Sequence, residues 1–167
     1  MKNVILGLLV SLVFLGCDAK EPNPKDLEAK LVVTQSVEAF ALSDQHDKAH
    51  TISADTKTLV FAFSKDIGHT CNDFFATKEE TYLEDNKAMF VADVSGAPSV
   101  IRSMFIIPGL KDFKHTVLVI DDKNVATGYK SGLDAEKIII VSLNDKIITS
   151  INTVSTTDEL ASAIEAK

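Results

Sequence analysis

Two cysteines, Cys17 and Cys71, and a single arginine, Arg102, are all that 167 residues provide of these two types. Two thiols form at most one disulfide, so the fold rests on an apolar core and not on a disulfide framework. No Cys-x-x-Cys occurs, which excludes thiol–disulfide exchange by a dithiol of that kind. A formal net charge of −7 with one arginine leaves no basic stripe. Nucleic acid and electrostatic docking on anionic lipid are therefore excluded as organising partners. The seven glycines form neither G-x-G-x-x-G nor a P-loop, and no H-E-x-x-H is present. No cofactor is expected. The apolar run Val4 to Gly16 falls short of the roughly 20 residues that a membrane-spanning helix needs.

That run does suit the h-region of a signal peptide, with Lys2 as its positive flank. It ends in Val13-Phe14-Leu15-Gly16-Cys17, a small residue directly before a cysteine, which resembles the lipobox of bacterial lipoproteins. The resemblance implies a signal peptide over residues 1–16, acylation of Cys17 and a thiol consumed as a thioether. Only Cys71 then stays free, and no intramolecular disulfide can form. Residues 17–30 read as a lipid-anchored tether: Asp18 to Lys30 is charged, carries Pro22 and Pro24, and lacks apolar periodicity. Asp18, next to the acylated residue, resembles the signal that retains lipoproteins in the inner membrane. Loss of Lys2 leaves 24 acidic against 16 basic residues, a mature charge of about −8.

Residues 31–167 are long enough for one domain with its own core. Thr58 to Ser64 (TLVFAFS), Ala88 to Val94 (AMFVADV) and Thr116 to Ile120 (TVLVI) are short, β-rich apolar runs suited to buried strands. Between the first two, Thr70 or Asn72 is placed to cap a helix running to about Glu84. Gly96-Ala97-Pro98 opens a second helix that Pro108-Gly109 should end, with Met104, Phe105, Ile106 and Ile107 on its core face. Asp121-Asp122-Lys123-Asn124 reads as a turn. The stretches IIIVSL and IITSINTV, hinged at Asn144-Asp145-Lys146, predict a hairpin, and Thr156-Thr157-Asp158-Glu159 predicts the start of a helix ending near Ala166.

Two crossover units followed by a hairpin and a terminal helix resemble the thioredoxin-like superfamily. The opening Phe40-Ala41-Leu42-Ser43-Asp44, with Lys48 and Ile52 before Thr58, is similar to the hairpin of its peroxiredoxin and TlpA-type branch. The resemblance implies an α/β fold, a central mixed sheet flanked by helices, with an N-terminal β-hairpin extension.

It also implies where chemistry would lie, at the turn after the first core strand, where a helix N-terminus acidifies a thiol. By the family pattern, Gly68-His69-Thr70-Cys71 stands there with Gly68 at the nucleophile position and Cys71 at the resolving one. The family's cis-proline, aligned on Val119-Ile120-Asp121, falls near His115, and no proline follows Gly109. A peroxiredoxin site is not matched either: Gly68 replaces its threonine, and Arg102 lies close downstream on the second helix. His69, Cys71 and His115 are a possible soft-metal set, whereas His46 and His50 with Asp44 and Asp47 read as a solvated turn. Ser64, Asp66 and His69 carry triad residue types without implying triad geometry. The expected function is an extracytoplasmic, membrane-anchored binding or accessory module with a redox-degenerate thioredoxin-like domain, held on the periplasmic side and engaging a protein partner. The alternatives are a one-cysteine thiol peroxidase or reductase using Cys71, and a Sco-like copper or other metal chaperone.

Overall fold

The structure is a computed structural model that describes residues 28–166. The expected signal peptide, the expected acylation site Cys17 and the expected tether up to residue 27 lie outside the described residues. Among those described, no helix is long and apolar enough to cross a membrane.

Seven strands form one sheet: β1 Ala41–Asp44, β2 Ala49–Thr51, β3 Thr58–Ala62, β4 Ala88–Asp93, β5 Leu118–Ile120, β6 Ile138–Asn144 and β7 Ile147–Val154. Their spatial order is β2-β1-β5-β4-β3-β6-β7. β3, β4 and β5 run parallel, while β6 is antiparallel to β3 and β7 to β6. The three apolar runs are therefore neighbours in one sheet, as expected, with β4 between the other two. All five residues of β3 are buried because both faces of the sheet are covered. Period-two alternation sends Leu59 and Phe61 into one core with Phe40, Ala126 and Tyr129. Val60 and Ala62 enter the other, with Cys71, Phe75, Phe90 and Leu160.

The second core is closed by α1 Lys65–Ala76, α2 Tyr82–Asp85 and α6 Thr157–Glu165. Two short helices, α3 Ser99–Ile101 and α4 Ile107–Leu110, flank a π-helical turn, Arg102–Ile106, on the crossover from β4 to β5. The first core is covered by α5 Lys123–Lys130 and by the lead-in before β1. α6 begins as predicted. The Thr156 hydroxyl accepts the Glu159 N–H, and the Glu159 carboxylate accepts the Thr156 N–H.

Three local expectations differ from the structure. α1 starts at Lys65 and ends at Ala76, with Ser64, and not Thr70 or Asn72, at the N-cap position and no side-chain capping bond. Gly68 lies inside the helix, its N–H bonded to the Ser64 carbonyl in the first turn. Asp122 is an N-cap and not part of a turn, its carboxylate accepting from the N–H groups of Asn124 and Val125 to start α5. The second helix passes through Pro108 because the Ile107 N–H reaches back to Arg102, a wider turn ahead of a residue with no N–H to offer.

The lead-in crosses the first face. Lys30 N–H bonds Gly128 O at 2.9 Å, Thr34 N–H bonds Ile148 O, and Val37 N–H bonds Lys146 O. Leu31, Val37 and Phe40 are buried along the way. Gly128 permits this approach, because a Cβ there would stand 3.2 Å from Lys30 Cγ and 3.3 Å from Glu28 O.

The β6–β7 hairpin turns through Asp145 and Lys146 at φ of 46° and 63°. The left-handed region costs a non-glycine residue roughly 1 kcal/mol or more, and such turns favour glycine. Lys146→Gly is expected to raise stability by about 1 kcal/mol, read as an increased urea midpoint at unchanged m.

Candidate functional site

The parallel strands β3 and β4 end together, and there the chain turns into α1 on one side and into the loop leading to α3 on the other. In open α/β sheets, ligands bind beyond these C-terminal ends. The Ser64 hydroxyl, at the N-cap of α1, lies 3.4 Å from Glu136 Oε2 in the loop before β6. Asp93, its side chain 3% exposed, accepts the Ser95 N–H at 2.8 Å and stands 3.5 Å from Lys130 Nζ. Arg102 is committed to this loop as well, donating to Ala97 O at 2.6 Å and Ser95 O at 3.3 Å. The guanidinium thereby holds the backbone of residues 95–97.

Among the described residues no thiol reaches this surface. Cys71 is the seventh residue of α1 and has no solvent exposure. With the first turn of α1 folded ahead of it, it sits beyond the exposed N–H groups that acidify a cysteine at a helix start. Burial pushes its thiol up to about 12. Asp66 and Asp73, near it in sequence, are exposed, and burial alone accounts for the shift.

His69, Cys71 and His115 do not converge. His69 is exposed on α1 while Cys71 faces the core, and among the described residues no group of three His, Cys, Asp or Glu side chains is placed to hold a metal. This corrects the proposed soft-metal set: residues two apart on a helix point to different sides.

His115 takes another role. β6 pairs antiparallel with β3, and the loop before it brings Glu136, and not His115, to the start of α1 at Ser64. His115 precedes β5, buried to 3% exposure and packed against Phe75, Phe90 and Phe113. Its Nε2 lies 3.0 Å from Asn72 Oδ1, and Asn72 Nδ2 donates to Gly68 O at 2.9 Å. That order makes Nε2 the protonated nitrogen. Nδ1 is buried without a hydrogen-bond partner. Burial lowers the imidazole pKa to about 4. Gln45 completes the cluster by donating to His115 O and accepting the Val117 N–H. Sequence reasoning missed Asn72 and Gln45. Neither carries a local pattern, and their bonds to His115 span 43 and 70 positions.

Asp44 organises the β1–β2 turn. Burial would raise its carboxyl, but donation from His50 Nε2 at 2.7 Å and from the Lys48 and His46 N–H groups holds it below the usual carboxylate value.

The strand order and the placement of α1 after β3 can be set beside solved structures. The pneumococcal exposed lipoprotein thioredoxin of Streptococcus pneumoniae superposes with a TM-score of 0.52 at 14% identity, over 77% of this chain and 98% of that one. The fold is thioredoxin-like. A candidate protein disulfide isomerase from Bacteroides thetaiotaomicron gives a TM-score of 0.52 at 12% identity, over 83% and 89% of the two chains. The Xanthomonas campestris bacterioferritin comigratory protein, described for alkyl peroxide reduction, gives 0.50 at 13%, over 83% and 98%. No family model and no curated protein matches the chain. Within the thioredoxin-like domain, Met104 and Phe105 correct one more expectation. They are 62% and 64% exposed, while Ile106 and Ile107 pack on the core.

Proposed function

We propose that this thioredoxin-like domain is a redox-inactive binding module, held at the outer side of a bacterial membrane by acylated Cys17 and engaging a protein partner through the loops beyond β3 and β4. The observation that carries the reading is Cys71, closed inside α1 with its thiol pushed up to about 12. A thiolate is the nucleophile in both peroxide reduction and disulfide exchange. Arg102, bound to the Ser95 and Ala97 carbonyls, is not available to a peroxide at Cys71. What the loops offer is Ser64, Glu136 and the exposed backbone of Gly96, a polar edge suited to hydrogen bonding and not to electron transfer. The exposed lipoprotein thioredoxin of Streptococcus pneumoniae, similar in fold, supports an extracytoplasmic, lipid-anchored setting.

Insulin reduction and peroxide consumption with a dithiol reductant are expected at the blank rate for wild type and for Cys71→Ser alike. Turnover lost in Cys71→Ser would overturn the reading in favour of the peroxidase or reductase. Cys17→Ser should release the protein from the membrane fraction or stall its processing, and unchanged membrane association would sink the anchor. Proteins co-purifying with the anchored form should be the same with and without Cys71→Ser.

A further inference from the structure

Four large apolar side chains stand out of the fold on one short stretch: Val100, Ile101, Met104 and Phe105, between 42% and 64% exposed. Their spacing puts them on the outer side of the α3–α4 crossover, while Ile106, Ile107 and Leu110 hold its inner side against the sheet. Isolated exposed apolar residues are ordinary, but four on one helical face mark a contact surface.

Charge indicates what covers it. Between Asp93 and Asp112 the chain has no acidic residue, the longest such interval in the described part of a protein with 24 acidic residues. Its charges are Arg102 and Lys111. An apolar face on an acid-free stretch of an otherwise acidic domain fits insertion into a lipid interface. The rest of the surface is repelled by an anionic bilayer, and this segment is not.

The path of the chain gives the second argument. Lys30 and Ile107 line one cleft of about 420 Å³, so the lead-in comes near the inner edge of the same crossover. Residues 18–27 separate Cys17 from that point, and ten extended residues reach roughly 35 Å at most. An acyl anchor at Cys17 holds the crossover within reach of the bilayer.

We propose that Val100, Ile101, Met104 and Phe105 form a membrane-contact face, resting on the lipid surface to which the chain is anchored, with Met104 and Phe105 entering the boundary between headgroups and acyl chains. The proposal rests on the anchored reading above and adds an orientation to it. Contact at both the tether and this face turns the domain's loops to a fixed height and direction over the membrane. The same acid-free face resolves a conflict with the composition: apolar insertion, and not net charge, makes the contact.

The chain has no tryptophan, so Phe105→Trp introduces a single fluorophore into the face, and Met104→Trp is a second reporter there. Thr153→Trp, exposed on the edge strand β7, is the reporter away from it. Each full-length variant, purified as the cell processes it, is mixed with excess vesicles of phosphatidylethanolamine and phosphatidylglycerol containing brominated acyl chains. The indoles of Phe105→Trp and Met104→Trp should shift to the blue and be quenched about twofold or more, as burial in the acyl boundary requires, while that of Thr153→Trp stays unchanged. Flotation of the same samples reports the anchor separately. Protein that floats with no reporter quenched overturns the membrane face and leaves the anchor standing. Protein that neither floats nor shows quenching overturns both. Quenching of the face reporters without flotation supports the face and removes the anchor. A blue shift that grows with protein concentration in the absence of lipid assigns the face to a second copy and overturns the proposal.

Discussion

Iodoacetamide at pH 7 should modify Cys71 in the native protein about a thousandfold more slowly than in the urea-unfolded chain, read by mass spectrometry on the peptide containing Cys71. The thiolate is the reacting form, and its fraction at neutral pH falls tenfold for each unit that the thiol pKa rises. Burial moves Cys71 from an ordinary 9.0 to about 12, three such factors. The zero exposure of the side chain adds to the effect, because reagent must wait for α1 to open. Raising the pH to 9 should bring the unfolded chain to rapid reaction and leave the native protein slow. A native rate within tenfold of the unfolded one would mean that Cys71 is open to solvent, and the redox-inactive reading would fall with it.

Stability should drop by about 3 kcal/mol as the pH falls from 6.5 to about 4, more than a hundredfold in the folding equilibrium. His115 is the source. Its pKa in the folded domain is lowered from 6.5 to about 4 by burial. In this window the unfolded chain takes up a proton that the folded chain refuses, so stability is complete above pH 6.5 and drains away on acidification. Below the folded value the loss from His115 is finished. Asp44 then takes over with the sign of a depressed carboxylate: its contribution is present above the ordinary value of 3.8 and disappears as its three donors lose a charged acceptor. His115→Gln keeps an N–H donor for Asn72 and removes the titration. Urea midpoints across the pH series should therefore slope steeply in wild type between 6.5 and 4 and lie nearly flat in the variant. Parallel profiles would refute the assignment to His115.

What was legible in the sequence was local. Thr156 and Glu159 sit three residues apart before an apolar run, and that spacing alone fixes the cap of α6. The strands were legible because β-branched and aromatic residues are concentrated in Thr58–Ala62 and Ala88–Asp93. Asp122 was misread because a carboxylate that accepts from the next backbone N–H groups does the same in a turn as at a helix start. The start of α1 was placed too late because Gly68 resembles a breaker. Six residues of helix separate Ser64 from Cys71, and that one shift moves the thiol from a helix start to the buried interior of α1. His115 could not be read at all, since its environment is made by α1, β4 and the β1–β2 turn, and only their packing brings Asn72, Phe90 and Gln45 to it.

The lead-in has a mechanical consequence. If the chain is held at Cys17 as proposed, a pull would arrive at Lys30 and meet its bond to Gly128 before the bonds of Thr34 to Ile148 and of Val37 to Lys146. These links would then release in succession, as in peeling tape, each lengthening the leash by a few residues while β3, β4 and β6 stay clamped to one another. Under that anchoring, residues 30–37 would act as a sacrificial fuse ahead of the domain.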